Sequence, residues 1–183
     1  PTPNYFPPSC CGSSASSMAF ANKLKEPGAL LDESEKTERP MQLSVHGTLP
    51  WGGYYGWALG AVANLYIPLA KNGFISKLND SFGIDFGLDA IFHLPYWGGA
   101  YAQPFNLLIP VNARWQFYML KQLQVYANLG LEVDIWFGYP YSALYWPVRP
   151  AFHVGAQWFF SEKVGLKLEI GYPGLRLGVV FDL

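Results

Sequence analysis

The residues of this chain that could carry out chemistry are few and lie far apart in the sequence. His93, His153 and Asp134, with Ser142 near Asp134, are the residue types of a Ser–His–acid arrangement for acyl transfer or hydrolysis. No spacing requires them to meet, and Ser142 lies in no recognisable nucleophile motif. The same histidines and aspartate are also metal-ligand types, but they come from separate segments. We therefore expect no metal, no cofactor and no enzyme activity, and keep these four residues as a catalytic alternative.

The two cysteines, Cys10 and Cys11, are adjacent. They have neither the C-x-x-C spacing nor the accompanying histidine that zinc or haem attachment would need. A disulfide, between the two or to a partner chain, and a pair of free thiols without a role both remain open.

The composition shows that the whole chain is unusually apolar. Of its 183 residues, 51% are hydrophobic and 14% are charged, whereas about 25% are charged in a typical soluble domain. No apolar run approaches the roughly 20 residues that a membrane-spanning helix needs. The net charge of −1, without any cluster of Lys or Arg, argues against a nucleic-acid partner.

Residues 1–40 differ in composition from residues 41–183. They hold nine of the charged residues, a proline-rich start and a Ser/Gly segment. This composition predicts a partly irregular N-terminal extension with one short helix near residues 15–25, ending at Pro40. A terminal segment of this kind is ordered only where something holds it, so we expect either the rest of the chain or a protein partner to bind it.

From residue 41 onward, apolar residues alternate with polar or small ones. Between residues 82 and 94 the even positions are Phe, Ile, Leu or Ala, and the odd positions include Asp85, Asp89 and His93. A period of two is typical of a β-strand with two different faces. The pattern predicts eight strands, over residues 41–49, 57–69, 82–94, 105–119, 123–137, 152–160, 164–170 and 175–183.

None of the charged residues after position 40 falls on the apolar face of these strands. Those on the polar face are Asp85, Asp89, Arg114, Glu132, Asp134, Lys167, Glu169, Arg176 and Asp182. The others fall in predicted connections and are Lys71, Lys77, Asp80, Lys121, Arg149, Glu162 and Lys163. Since eight strands enclose a space that side chains can fill, the polar face predicts an ion-pair network inside the barrel and no continuous pore.

Two kinds of barrel have one charge-free face. In a soluble lipocalin-like barrel that face points inward, and in a transmembrane barrel it points to lipid. Here it carries bulky Phe, Trp, Leu and Ile at nearly every position, too much volume for the inside of a small barrel. We therefore predict an all-β, eight-stranded, antiparallel up-and-down transmembrane barrel over residues 41–183, preceded by the extension.

The predicted connections are short at one end and longer at the other. Residues 120–122 and 161–163 form short turns at the end that also holds the connection 70–81, whereas 95–104 and 138–149 are long. Short periplasmic turns, longer outer loops and periplasmic termini are typical of outer-membrane barrels. The aromatic residues of the long loops fit either an interfacial belt or a docking surface. They are Tyr96, Trp97, Tyr101, Tyr139, Tyr141, Tyr145 and Trp146.

In these features residues 41–183 resemble the small eight-stranded outer-membrane β-barrels, the OmpA-like and OmpX-like class. Residues 175–183 resemble the alternating C-terminal strand that assembly machinery recognises in this class, although the chain ends in Leu183 and not in an aromatic residue. The resemblance implies a bacterial outer-membrane location with periplasmic termini, and contact with outer-membrane lipid or lipopolysaccharide.

The function we expect is that of a structural or anchoring subunit of a larger cell-envelope assembly. Its protein partner would bind residues 1–40 and the aromatic loops. One alternative is a lipid-modifying outer-membrane enzyme that uses His93, His153, Asp134 and Ser142 for acyl transfer or hydrolysis. Another is a conduit for small apolar solutes.

Overall fold

A computed structural model of the chain describes residues 14–32, 39–50, 58–71, 73–93, 105–137, 148–172 and 174–183. It contains one helix, α1 (Ser14–Lys23), followed by β1 (Gln42–Pro50), β2 (Ala58–Ala70), β3 (Asp80–His93), β4 (Phe105–Tyr118), β5 (Leu123–Phe137), β6 (Val148–Phe159), β7 (Val164–Tyr172) and β8 (Gly174–Asp182). Among the described residues, no helix is both long and apolar enough to cross a membrane.

The strands form a closed antiparallel barrel in which each strand pairs with the next along the chain. Strand β1 also pairs with β8, where Gln42 lies opposite Asp182 and Pro50 opposite Gly174. The predicted fold, an eight-stranded up-and-down barrel, is therefore confirmed. It leaves no sheet edge, so every strand has a hydrogen-bonded neighbour on both sides.

The strand bounds differ from the prediction at β6 and β3. Strand β6 begins at Val148, so Arg149 lies inside a strand and not in a connection as predicted. Asp80, also expected in a connection, is the first residue of β3 and is fully buried. The early part of β6 contains Pro150, whose missing N–H removes one ladder donor and interrupts the sequence pattern of a strand.

Burial alternates along the strands, with the polar residues inside. On β1, Gln42, Ser44 and His46 are buried, whereas Leu43 and Val45 are exposed. The same inversion is seen on the other strands, where Asp, Asn, Gln, Arg and Lys point inward and Leu, Ile, Val and Phe point outward. The arrangement suits a barrel whose outside contacts hydrocarbon and whose lumen is polar.

The two ends of the barrel differ in their connections. One end, here called the turn end, holds the connections 71–79, 119–122 and 160–163, together with the start of β1 and the end of β8. The opposite, loop end is where β1, β3, β5 and β7 finish, and its connections lie outside the described residues. Cys10, Cys11, Ser142 and all the loop aromatics predicted above likewise lie outside the described residues.

Candidate functional site

The middle of the lumen holds a chain of buried ion pairs contributed by the three strands β3, β7 and β8. Arg176 on β8 contacts Asp89 on β3 across the lumen, and its Nη1 lies 3.5 Å from Glu169 Oε2. Glu169 also pairs with Lys167 on β7, at 3.1 Å. All four side chains have zero exposure. Each charge is therefore neutralised where an unpaired one would cost several kcal/mol.

Neighbouring strands bring these charges together by register. Glu169 lies directly opposite Arg176 on the β7–β8 ladder, and Lys167 is two residues from Glu169 on the same inward face. Lys167 Nζ also reaches Ser44 Oγ on β1 at 3.1 Å, and Tyr126 donates its hydroxyl to Glu169 Oε1 at 2.8 Å.

A second group of charges lies nearer the loop end and centres on Arg149. Its Nε lies 2.5 Å from Glu132 Oε1, its Nη2 lies 3.3 Å from Asp134 Oδ2, and its Nη1 donates to the Tyr172 hydroxyl at 3.3 Å. The predicted lumen network left Arg149 out because the sequence placed it in a connection. The structure instead makes it the cation that neutralises two of the predicted carboxylates.

A series of arginine and tyrosine side chains runs from the turn end toward the middle of the lumen. Arg39 stacks on Tyr118 with 3.6 Å between the guanidinium carbon and the ring centre. Ser81 Oγ hydrogen-bonds both the Tyr118 and the Tyr66 hydroxyls, each at 3.1 Å. Further in, the Arg114 guanidinium lies over Tyr66 at 4.5 Å and over Tyr126 at 3.8 Å. We call Arg39, Tyr118, Tyr66, Arg114 and Tyr126 the cation–tyrosine column.

The column also brings together Asp85 and Arg114, both predicted to lie in the lumen, whose Oδ2 and Nη1 atoms are 3.3 Å apart. Asp182, in contrast, makes no ion pair with another described residue, and its Oδ1 accepts a hydrogen bond from Gln42 Nε2 at 3.0 Å. The predicted network thus divides into a central group, a group around Arg149 and the column, with Asp182 at the turn end.

The N-terminal extension is attached to the turn end through Asn79. The Asn79 backbone N–H donates to the Leu30 carbonyl at 2.8 Å, and its side-chain Nδ2 donates to the carbonyls of Gly28 and Ala29 at 3.2 and 3.3 Å. Gly28 has φ 83°, a left-handed conformation that favours glycine. Ala29 is buried as a result, at 1% exposure.

Arg39 adds to the contact by donating to Asn79 Oδ1, so the Asn79 side chain binds the extension both at residues 28–29 and at Arg39. Burial lowers the pKa of the Arg39 guanidinium from its ordinary value, while Tyr118, Tyr66 and Asp80 oppose that shift. Arginine stays charged even so. The extension therefore places a fixed positive charge over the turn end of the lumen.

The catalytic candidates are only partly brought together. His93 Nε2 is hydrogen-bonded to Asn106 Oδ1 at 2.9 Å, and Asn106 Nδ2 donates to Asp134 Oδ1 at 2.9 Å. His93 also stacks on Trp136, with ring centres 5.1 Å apart. His153 lies deeper, on β6 opposite Gly171; it is fully buried, and its ring nitrogens make no hydrogen bond to another described residue. With Ser142 outside the described residues, the absence of enzyme activity stays a prediction.

Two aromatic bands lie on the outer wall, and neither was predicted from the sequence. At the loop end, Phe105 packs between Phe92 and Phe137, with ring centres 4.9 and 5.5 Å apart. At the turn end, Phe74 packs on Phe82 at 5.0 Å and on Trp115 at 6.4 Å. The signal was available, because these residues recur near both ends of the apolar strand faces.

The spacing of the bands matches a bilayer. Ten residues separate Phe82 from Phe92 on β3 and Phe105 from Trp115 on β4, which at ~3.3 Å per residue and a tilt of about 40° gives roughly 25 Å of height. Outer-membrane barrels have an apolar band of about this height between two aromatic girdles. The height of the wall between the two bands therefore matches the hydrocarbon layer of such a membrane.

Comparisons with known proteins bear on the fold alone. No protein-family model matches the chain, and no curated protein matches its sequence. A solved barrel from the de novo design of transmembrane β-barrels superposes with a TM-score of 0.53 at 13% identity, over 82% of this chain and 100% of that one. The likeness to this designed barrel shows that the chain has the fold of a transmembrane β-barrel.

Two further solved structures superpose with lower TM-scores. Both are structures of Ail, the attachment invasion locus protein of Yersinia pestis. Its crystal structure has a TM-score of 0.47 and 11% identity, covering 79% of this chain and 97% of that one. Its backbone structure in a phospholipid bilayer nanodisc has a TM-score of 0.46 and 10% identity, covering 79% of this chain and 100% of that one.

Proposed function

We propose that this membrane β-barrel resides in a bacterial outer membrane with periplasmic termini and acts as an anchoring subunit of a larger cell-envelope assembly. The barrel holds the chain in the membrane, and the N-terminal extension presents a binding segment at the turn end. The outer-membrane location is supported by the closed antiparallel strands and the two aromatic bands.

The observation that carries the proposal is the attachment of the extension. Asn79 binds residues 28–30 and Arg39, so the helix before them is tethered to the turn end of the barrel. That helix carries Phe20, whose side chain is 52% exposed. An exposed phenylalanine on a tethered segment is a contact that a protein partner would bury.

The lumen supports a structural role and not a transport role. Its centre is occupied by Asp89, Lys167, Glu169 and Arg176, all paired and fully buried. Moving these side chains aside would break several buried pairs at a cost of about 3–5 kcal/mol each. A charged lumen of this kind also disfavours the passage of apolar solutes.

Site-specific photocrosslinking in the native cells tests the anchoring role. We replace Phe20 with photoreactive p-benzoylphenylalanine and expect one discrete protein adduct on irradiation. The matched control carries the same group at Leu131, which is 56% exposed on the outer wall of β5 and should yield no protein adduct of that mass. Absence of a protein adduct from Phe20, with the chain folded in the membrane, would contradict the proposal.

A further inference from the structure

The turn end of the barrel carries a ring of exposed lysines that the lumen network does not use. The ring, here called the lysine rim, consists of Lys71, Lys77, Lys121 and Lys163. Each of the connections 71–79, 119–122 and 160–163 contributes at least one of them, so they are spread around the barrel. None makes an ion pair with another residue in the part of the chain that the structure describes.

The rim borders the turn-end aromatic band. Phe74 lies in the same connection as Lys71 and Lys77, and Asp80 ties this connection to the wall. The Asp80 Oδ2 atom accepts hydrogen bonds from the Phe74 backbone N–H at 3.2 Å and from Trp115 Nε1 at 2.8 Å. Phe74 is thereby held against the outer wall with its lysines just beyond it.

The same order recurs at the other connections. Phe160, 61% exposed, comes three residues before Lys163 in the β6–β7 turn. Trp115 and Phe117 on β4, with ring centres 5.1 Å apart, precede Lys121 in the β4–β5 turn. Aromatic rings sit at the hydrocarbon boundary, and lysine side chains extend past them to the polar headgroups. This order matches a lipid leaflet whose phosphates lie level with the lysines.

The charges at the two ends of the barrel are unequal. Glu162 is the one acidic residue among the described residues of the three turn-end connections. At the loop end, the described strand ends carry one cation, Arg149, which is only 25% exposed and already bound to Glu132 and Asp134. Among the described residues, exposed lysines without an ion pair therefore lie in the connections of the turn end, and the described strand ends of the loop end have none. Residues 33–38, which include three glutamates, lie outside the described residues.

We infer that the lysine rim and the turn-end aromatic band form a binding surface for anionic glycerophospholipids in the leaflet on the turn side. The ligand class is a lipid with a net negative phosphate headgroup, such as phosphatidylglycerol. Four lysines distributed around the circumference fit a layer of headgroups better than one bound molecule. The inference rests on the membrane fold and is independent of any partner of the extension.

Native mass spectrometry of the full chain with equimolar phosphatidylglycerol and phosphatidylcholine tests the inference. We expect the wild-type chain to retain phosphatidylglycerol preferentially at low salt. The variant K121Q/K163Q should lower this preference at least fivefold, because a lysine near an anionic surface contributes about fivefold in affinity. The preference should also fall at 1 M salt, where the screening length is about 3 Å.

The matched control is K23Q/K25Q, which removes two exposed lysines from the extension and leaves the rim intact. It should leave the preference within twofold of wild type, and E162Q should raise it. Equal retention of the two lipids by wild type, or an equal loss in K23Q/K25Q and K121Q/K163Q, would overturn the inference. Displacement of phosphatidylglycerol by lipopolysaccharide at equal concentration would also overturn the inference, because the surface would then prefer the lipid of the other leaflet.

Discussion

At the residue scale, Arg176 has the most demanding environment in the lumen. It is fully buried and joins Asp89 on β3 to Glu169 on β7, so two carboxylates depend on its charge. A buried ion pair contributes little net stability when intact, but removing one partner leaves the other charge uncompensated. The stability of the barrel should therefore respond to the loss of the charge and much less to the loss of side-chain volume.

Substitution of Arg176 by methionine tests this dependence. Arg176→Met keeps an unbranched side chain and removes the charge, and we expect the free energy of unfolding to fall by about 3–5 kcal/mol. Urea unfolding in phospholipid vesicles measures it. The adjacent exterior variant Leu177→Met is the control and should change stability by less than ~1.5 kcal/mol. Equal free energies of unfolding for the two variants would show that the stability of the barrel does not depend on the charge of Arg176.

The ion pairs themselves could be predicted only in part. Alternation identified Asp89, Glu169 and Arg176 as inward residues, because a period of two assigns each residue to a face. It could not identify their partners, since Asp89 and Arg176 come from strands that face each other across the lumen. Arg149 was misplaced because Pro150 interrupts the strand pattern next to it.

At the element scale, the extension and the barrel meet through one asparagine. Asn79 donates to the carbonyls of Gly28, Ala29 and Leu30 and accepts a hydrogen bond from Arg39. The contact joins residues about fifty positions apart in the sequence, so no local sequence pattern predicts it. The helix was predictable to within two residues from its composition, whereas its attachment site was not.

Hydrogen exchange of Asn79→Ala tests the attachment. Loss of the side-chain amide removes two hydrogen bonds to the extension and the acceptor for Arg39. At about 1 kcal/mol for each hydrogen bond, we expect amide exchange over residues 28–32 to accelerate at least tenfold, with the strands unchanged. Asn22→Ala, an exposed asparagine of α1, is the control and should leave exchange at residues 28–32 unaltered. Unchanged exchange in Asn79→Ala would mean that other contacts hold the extension.

At the scale of the whole molecule, the chain is turned inside out relative to a soluble protein. Its largest fully buried side chains include Arg114, Arg176 and Lys167, while Leu129, Leu131 and Leu177 are among the exposed ones. This inversion was predictable, because no charged residue after position 40 falls on the apolar strand face. The height of the wall was not predicted, because alternation assigns residues to a face and does not show which aromatic residues pack together into bands.

The central claim, that the outer wall faces lipid, is tested most directly by the stability of Leu131→Arg in phospholipid vesicles. Leu131 lies on β5 opposite Val111, midway between the aromatic bands. If the wall contacts hydrocarbon, an arginine there should lower the free energy of unfolding by about 2–4 kcal/mol, whereas Gln122→Arg in an exposed turn should cost about 0–1 kcal/mol. Equal stability of the two variants, or a Leu131→Arg protein that is stable and soluble without lipid, would contradict the account.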